Sequence, residues 1–66
     1  MSAPIERKQE ARAVLIASAR DACKKGFSMM EWEESTLVTT YAAAAGVEKE
    51  IPHMSYVAWA LEGKRM

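Results

Sequence analysis

The chain has 66 residues, half of them apolar, a formal net charge of zero and a single cysteine. A chain this short forms at most one domain, residues 1–66, whose lone core gives marginal stability unless a disulfide, a metal or another chain supports it. Cys23 alone excludes an internal disulfide, and Cys23 with the single His53 cannot complete a four-ligand zinc site. The remaining means of support are oligomerisation or a stable partner, and we expect a homodimer because the core is thin and the alanine-rich faces admit a second chain.

The first predicted helix covers about residues 4–25. Pro4 suits a first helical turn, and Gly26 supplies a left-handed residue after Lys24 and Lys25 in the last turn. The apolar stripe of this helix is rich in alanine, which favours the close approach of a second helix. The stripe contains Ile5, Ala11, Leu15, Ile16, Ala19, Ala22 and Cys23.

The second predicted helix covers about residues 29–45 and has the clearest boundaries. Ser28 and Glu31 have the spacing of a capping box, in which each side chain satisfies the other residue's backbone N–H. Phe27 and Trp32 have the spacing of a hydrophobic staple. Because the link between the first two helices is so short, we expect them to form an antiparallel αα-hairpin.

The second helix is predicted to end in a Schellman motif at Gly46 and Val47. At about 100° per residue, one of its faces is predicted to point at the core. That face contains Met30, Leu37, Tyr41 and Ala44, with Val38 and Ala45 at its edges. Small side chains from residue 42 to residue 45 would admit close neighbours on more than one side.

A short third helix is predicted over about residues 52–62. Ile51 precedes a proline and should be extended, Pro52 can open the helix, and Gly63 can end it. The core-facing stripe is predicted to be Met54, Val57, Ala58 and Leu61. On the same plot Ser55 and Trp59 point the other way, and Tyr56 lies at one edge. The predicted fold is therefore all-α, a long hairpin plus a short third helix packed across it.

No residue pattern predicts catalysis, a cofactor site or a metal site. His53 is expected at the surface near a helix start, and Cys23 is expected to be a small buried hydrophobe. Glu31, Glu33 and Glu34 point in different directions on a helix and are explained by the helix dipole. We expect a non-enzymatic protein, since no cofactor loop or acid–base pair is present and the chain is small for a substrate pocket.

Bulky side chains off the predicted stripes suggest a protein interface. Because tryptophan is enriched at binding hot spots, the candidate interface residues are Trp59, Tyr56, Trp32, Phe27 and Val14. The alternative is that short helices bury more than one face each and consume these side chains in the core. No apolar run approaches the roughly 20 residues of a membrane span, and the polar N-terminus is not a signal peptide. We therefore expect a cytoplasmic protein.

A second interpretation is a small DNA-binding regulator. The spacing of Ala42, Gly46 and Val47 before another helix is similar to that of a helix-turn-helix. Pro52, however, falls where the recognition helix should be continuous, and that helix has no Arg, Asn or Gln to contact bases. Phosphate contacts would come from the first helix, through Arg7, Arg20 and Lys24. The first choice is a protein-interaction module that binds and modulates another protein; the alternative is this transcriptional regulator.

Overall fold

The computed structural model describes the backbone of residues 4–62 and the side chains of residues 7–62. These residues confirm the all-α prediction, and no strand occurs among them. The helices are α1 (Pro4–Lys24), α2 (Met29–Glu33), α3 (Thr36–Ala45) and α4 (Ile51–Leu61), with a 3₁₀ turn over Glu48–Glu50. The predicted helix end at Gly63 and the side chain of Ile5 lie outside the described residues.

Two helices end in Schellman motifs. After α3, the N–H of Val47 donates to the carbonyl of Ala42 at 2.9 Å, and the N–H of Gly46 donates to Ala43 at 3.1 Å. The same two bonds close α1 at Gly26 and Phe27. Both glycines have positive φ, +92° at Gly26 and +76° at Gly46, a conformation that other L-residues adopt at a cost. Local signals therefore predicted both endings.

The predicted continuous second helix is wrong, because it is two helices. Ser28 and Glu31 form the predicted capping box, but α2 ends after five residues at Glu33. Ser35 then takes an extended conformation, with φ −60° and ψ 130°, and α3 begins behind it. Serine is less favourable inside a helix than at an N-cap position, although the Ser35 side chain makes no capping hydrogen bond. Trp32 and Val38 would lie about 120° apart on one straight helix, whereas the break buries both.

The break also reverses the predicted inner face. Val38 and Ala42 are buried, whereas Leu37 and Tyr41 are exposed. Met30 and Ala44, the other two members of the predicted stripe, are also exposed. The sequence pattern fits either phase, because apolar side chains occur on both sides of this segment.

Helix α4 starts one residue earlier than predicted and is rotated relative to its predicted stripe. Ile51 is helical and buried, because the 3₁₀ turn leads directly into the helix despite the following proline. Ser55 and Trp59, which were predicted to point away, are buried together with Met54 and Ala58. Leu61, a predicted core residue, is exposed.

Helix α1 lies at the centre of the fold. Helix α4 makes its most extensive contacts with α1, and it also packs on α2. Helices α2 and α3 also pack on α1, and α3 runs antiparallel to α1 because the end of α3 meets the start of α1, as the predicted hairpin requires. The core lies among the four helices. It consists of Ala11, Leu15, Ala19, Cys23, Trp32, Val38, Ala42, Val47, Ile51, Met54, Ala58 and Trp59.

Candidate interaction surface

No group of three or more His, Cys, Asp or Glu side chains within residues 7–62 is placed to hold a metal ion. His53 is exposed near the start of α4, and Cys23 is a free, buried thiol, both as predicted. None of the helices in this part of the chain has the length and apolar character needed to cross a bilayer.

The two tryptophans are core residues, which corrects the expectation that they lie exposed on an interface. Trp32 and Trp59 are each only 4% exposed. The indole N–H of Trp32 donates to the hydroxyl of Ser18 on α1 at 3.1 Å, so its polar edge is satisfied inside the fold. A chain of this size needs the large apolar area of both rings for its own core. For Trp32 and Trp59, the alternative expectation is therefore correct: the short helices bury more than one face each, and both rings belong to the core.

The other three predicted interface residues are exposed but do not share one face. Phe27 is half-exposed at the α1–α2 link, Val14 is half-exposed on α1, and Tyr56 lies on the outer side of α4. Whether any of them contacts a partner stays a prediction. Val14 lies on the same side of α1 as Arg7 and Glu10, which line a groove together with the exposed Tyr41.

An exposed apolar surface runs along the side of α1 that faces α3. We call it the α1/α3 flank and define it by Val14, Leu37 and Tyr41, which are 52%, 83% and 43% exposed. Leu37 and Tyr41 are four residues apart and share a face of α3. Because α3 runs antiparallel to α1 and Tyr41 lies beside Ala11, Leu37 lies near the level of Val14.

Sequence reasoning missed Leu37 and Tyr41 as surface residues because it assigned them to the core. Their apolar character was visible, and so was their shared helical face. What the sequence did not show was the rotation of α3 imposed by the break at Ser35. A serine at that position, followed by β-branched Thr36, is the one local signal that could have indicated it.

One end of the α1/α3 flank is basic. A groove of about 400 Å³ opens there between the start of α1 and the end of α3. It is lined by Arg7, Lys8, Glu10, Ala11, Tyr41, Ala44 and Ala45. The side chain of Lys8 passes over Gly46, where an added Cβ would lie 3.6 Å from the Lys8 Cε. Arg7 forms no ion pair with any residue that the structure describes.

The opposite end of the α1/α3 flank is aromatic and acidic. A second depression, of about 470 Å³, lies where α1 ends and α2 begins. We call it the acidic notch; it is lined by Ala22, Phe27, Glu31, Trp32, Glu34 and Ser35. The Glu31 carboxylate accepts the Ser28 N–H at 2.8 Å, whereas Glu34 has no ion-pair partner within residues 7–62. The notch thus combines apolar walls with two carboxylates, which suits a long cationic side chain.

On the side of α1 that faces α4, two arginines are paired with glutamates. Arg12 donates to both carboxylate oxygens of Glu50, at 2.6 and 2.9 Å, and Arg20 donates to Glu62 at 2.7 Å. These two pairs define the α1/α4 seam. The hydrogen bonds from Arg12 hold the pKa of Glu50 below its ordinary value, and the same bonds raise the pKa of Arg12. Both side chains are about a third exposed, so the pair contributes modestly to stability.

A buried polar contact joins α2 to α4. The hydroxyl of Ser55, which is fully buried, donates to the Glu33 carboxylate and also lies 2.9 Å from the carbonyl of Pro52. The helix dipole was the sequence-based explanation for Glu33, and this long-range contact adds a second role. A carboxylate that meets a buried hydroxyl fixes how α2 lies on α4.

Helix α4 has few features of a DNA-reading helix. It packs on α1 and α2 rather than mainly on α3, the helix that would precede it in a helix-turn-helix. Its exposed side chains are Pro52, His53, Tyr56, Ala60 and Leu61, none of which forms bidentate contacts to a base. No structural observation favours the DNA-binding alternative, which stays a prediction.

No protein-family model, curated protein or solved structure matches the chain.

Proposed function

We propose that the protein is a small, non-enzymatic interaction module that binds another protein chain through the α1/α3 flank. The observation that carries this proposal is the exposure of Leu37, at 83%, beside Val14 and Tyr41. Single exposed apolar residues are ordinary, but a contiguous group of large ones bounded by charges is typical of interaction sites.

The shape of the surface supports the same proposal. Two depressions flank the apolar centre, and both are open to solvent rather than enclosed as a substrate pocket would be. Charged side chains border the apolar centre at each end, which resembles the polar rim around an interface core. Binding there would bring the partner against α1 and α3 and leave the α1/α4 seam untouched.

The proposal includes a cytoplasmic location and a modulating effect on the partner. Tyr56 on α4 is a separate exposed aromatic residue, 68% exposed, and is retained as a second contact point. It lies on a helix that is otherwise anchored to α1 and α2. We therefore place the main contact on the α1/α3 flank and a secondary one on α4.

The test is retention of a protein from a lysate of the source cells by the immobilised chain and by two variants. Leu37→Glu places a charge at the centre of the α1/α3 flank, while Thr39→Glu places it about 160° round the same helix. We expect at least one lysate protein to bind both the wild-type chain and Thr39→Glu but not Leu37→Glu. The proposal is wrong if no retained protein depends on Leu37.

A further inference from the structure

We infer that the chain covering the α1/α3 flank is a second copy of this protein, bound about a two-fold axis that passes beside Val14. This inference rests on the proposed function, because it names the occupant of the proposed surface. The observations that favour a second copy are the charges at the two ends of the α1/α3 flank and their spacing about its apolar centre.

The two ends of the α1/α3 flank complement each other in charge. Arg7 stands at one end without an ion-pair partner among the described residues, and Glu34 stands in the acidic notch at the other, equally unpaired there. Glu10 shares the groove with Arg7 and Lys8, so that end has a net charge of +1. Opposite charges at the two ends of one surface are what an antiparallel pair of identical surfaces requires.

The spacing of these ends fixes a register. Arg7 and Ala22, which lines the acidic notch, are 15 positions apart in α1, or about 22 Å at about 1.5 Å per residue. The midpoint falls between positions 14 and 15, beside Val14, which is exposed on the same flank, whereas Leu15 is buried. In a two-fold arrangement with antiparallel α1 helices, Val14 meets the partner's Val14 while each Arg7 reaches the partner's acidic notch.

The chemistry of the acidic notch suits an arginine. The guanidinium group can lie against the half-exposed ring of Phe27 and donate to the carboxylate of Glu34, while its methylene stem covers the apolar wall of the notch. Each dimer would contain two such contacts, one at each end of the interface. Leu37 and Tyr41 would lie beside the axis and lose their exposure.

Disulfide trapping tests the register. In a Cys23→Ala background, we expect Val14→Cys to give a disulfide-linked dimer on mild oxidation, because two-fold neighbours come within reach of an S–S bond. Ala13→Cys is the matched control, since Ala13 is also exposed but lies about 100° round α1 from Val14. More disulfide-linked dimer from Val14→Cys than from the control variant supports the inference. Equal amounts from the two variants, or no linkage through position 14, overturn it.

A charge-swap cycle tests the complementarity by sedimentation equilibrium. We expect Arg7→Glu and Glu34→Arg each to weaken dimerisation by about tenfold or more, and the double variant to recover most of the loss. A wild-type monomer at micromolar concentration overturns the inference, as does a dimer that is insensitive to both charges.

These results separate the inference from the proposed function. If wild type is monomeric yet Leu37→Glu loses a retained protein, the inference fails and the proposed function stands. If Val14→Cys links the dimer and no lysate protein needs Leu37 for binding, the dimer inference stands and the proposed binding of another protein fails.

Discussion

The two sides of α1 differ in how far their apolar side chains are buried and in whether their charged side chains are paired. On the α1/α4 seam, arginines of α1 pair with carboxylates at both ends of α4, and the apolar residues between them are buried. On the α1/α3 flank, the apolar residues stay exposed, and Arg7 and Glu34 at its two ends have no ion-pair partner among the described residues. Because both sides use the same helix and the same residue types, the difference indicates that one side completes the fold while the other is available for binding.

The largest expected difference between the two sides is in the stability of the isolated chain. The Met54→Ala substitution should lower the free energy of unfolding by about 2–5 kcal/mol, because Met54 is almost fully buried against α1. Leu37→Ala should change the free energy of unfolding by no more than about 0.5 kcal/mol, because the side chain is exposed. Urea denaturation at low protein concentration, where self-association does not contribute, measures both values. Equal losses would mean that Leu37 belongs to the core.

A smaller effect is expected from acid at the α1/α4 seam. The Arg12 hydrogen bonds lower the folded-state pKa of Glu50 from an ordinary value of 4.5. The pair therefore adds stability at pH values above that ordinary value, and this contribution is lost as the pH falls through the folded-state pKa. Glu50→Gln should be less stable than wild type near neutral pH, and the two should converge in acid. Denaturant titrations at several pH values measure the difference.

Asp21→Asn is the control for that experiment, since it also removes one negative charge from an α1 ion pair. The Asp21–Lys25 pair is a local i,i+4 contact with both side chains more than 60% exposed, and such pairs contribute little. A stability difference between wild type and Glu50→Gln that persists unchanged into acid would contradict the role given to Glu50.

The sequence predicted the features that depend on neighbours in the chain. The extent of α1, the capping box of Ser28 and Glu31, and the ending at Gly46 are all local, and the structure confirms each. Burial of Cys23 followed from its place on a clear stripe. These signals involve residues within one or two turns, where spacing alone determines which groups meet.

The features that were missed depend on distant residues. The break at Ser35 depends on burying both Trp32 and Val38, and a helical plot cannot show which of two apolar faces is buried. The Arg12–Glu50 contact joins residues 38 positions apart. The α1/α3 flank was hidden for the same reason, since Leu37 and Tyr41 looked like core residues while a continuous helix was assumed.

Sedimentation equilibrium of wild type, Leu37→Glu and Thr39→Glu tests most directly whether the α1/α3 flank is an interface between two copies of the chain. At micromolar concentration, wild type and Thr39→Glu should have twice the mass of the 7.3 kDa chain, and Leu37→Glu should have the mass of one chain. Circular dichroism checks that all three keep the same helix content. Identical masses for the three folded proteins would contradict a dimer interface at the α1/α3 flank.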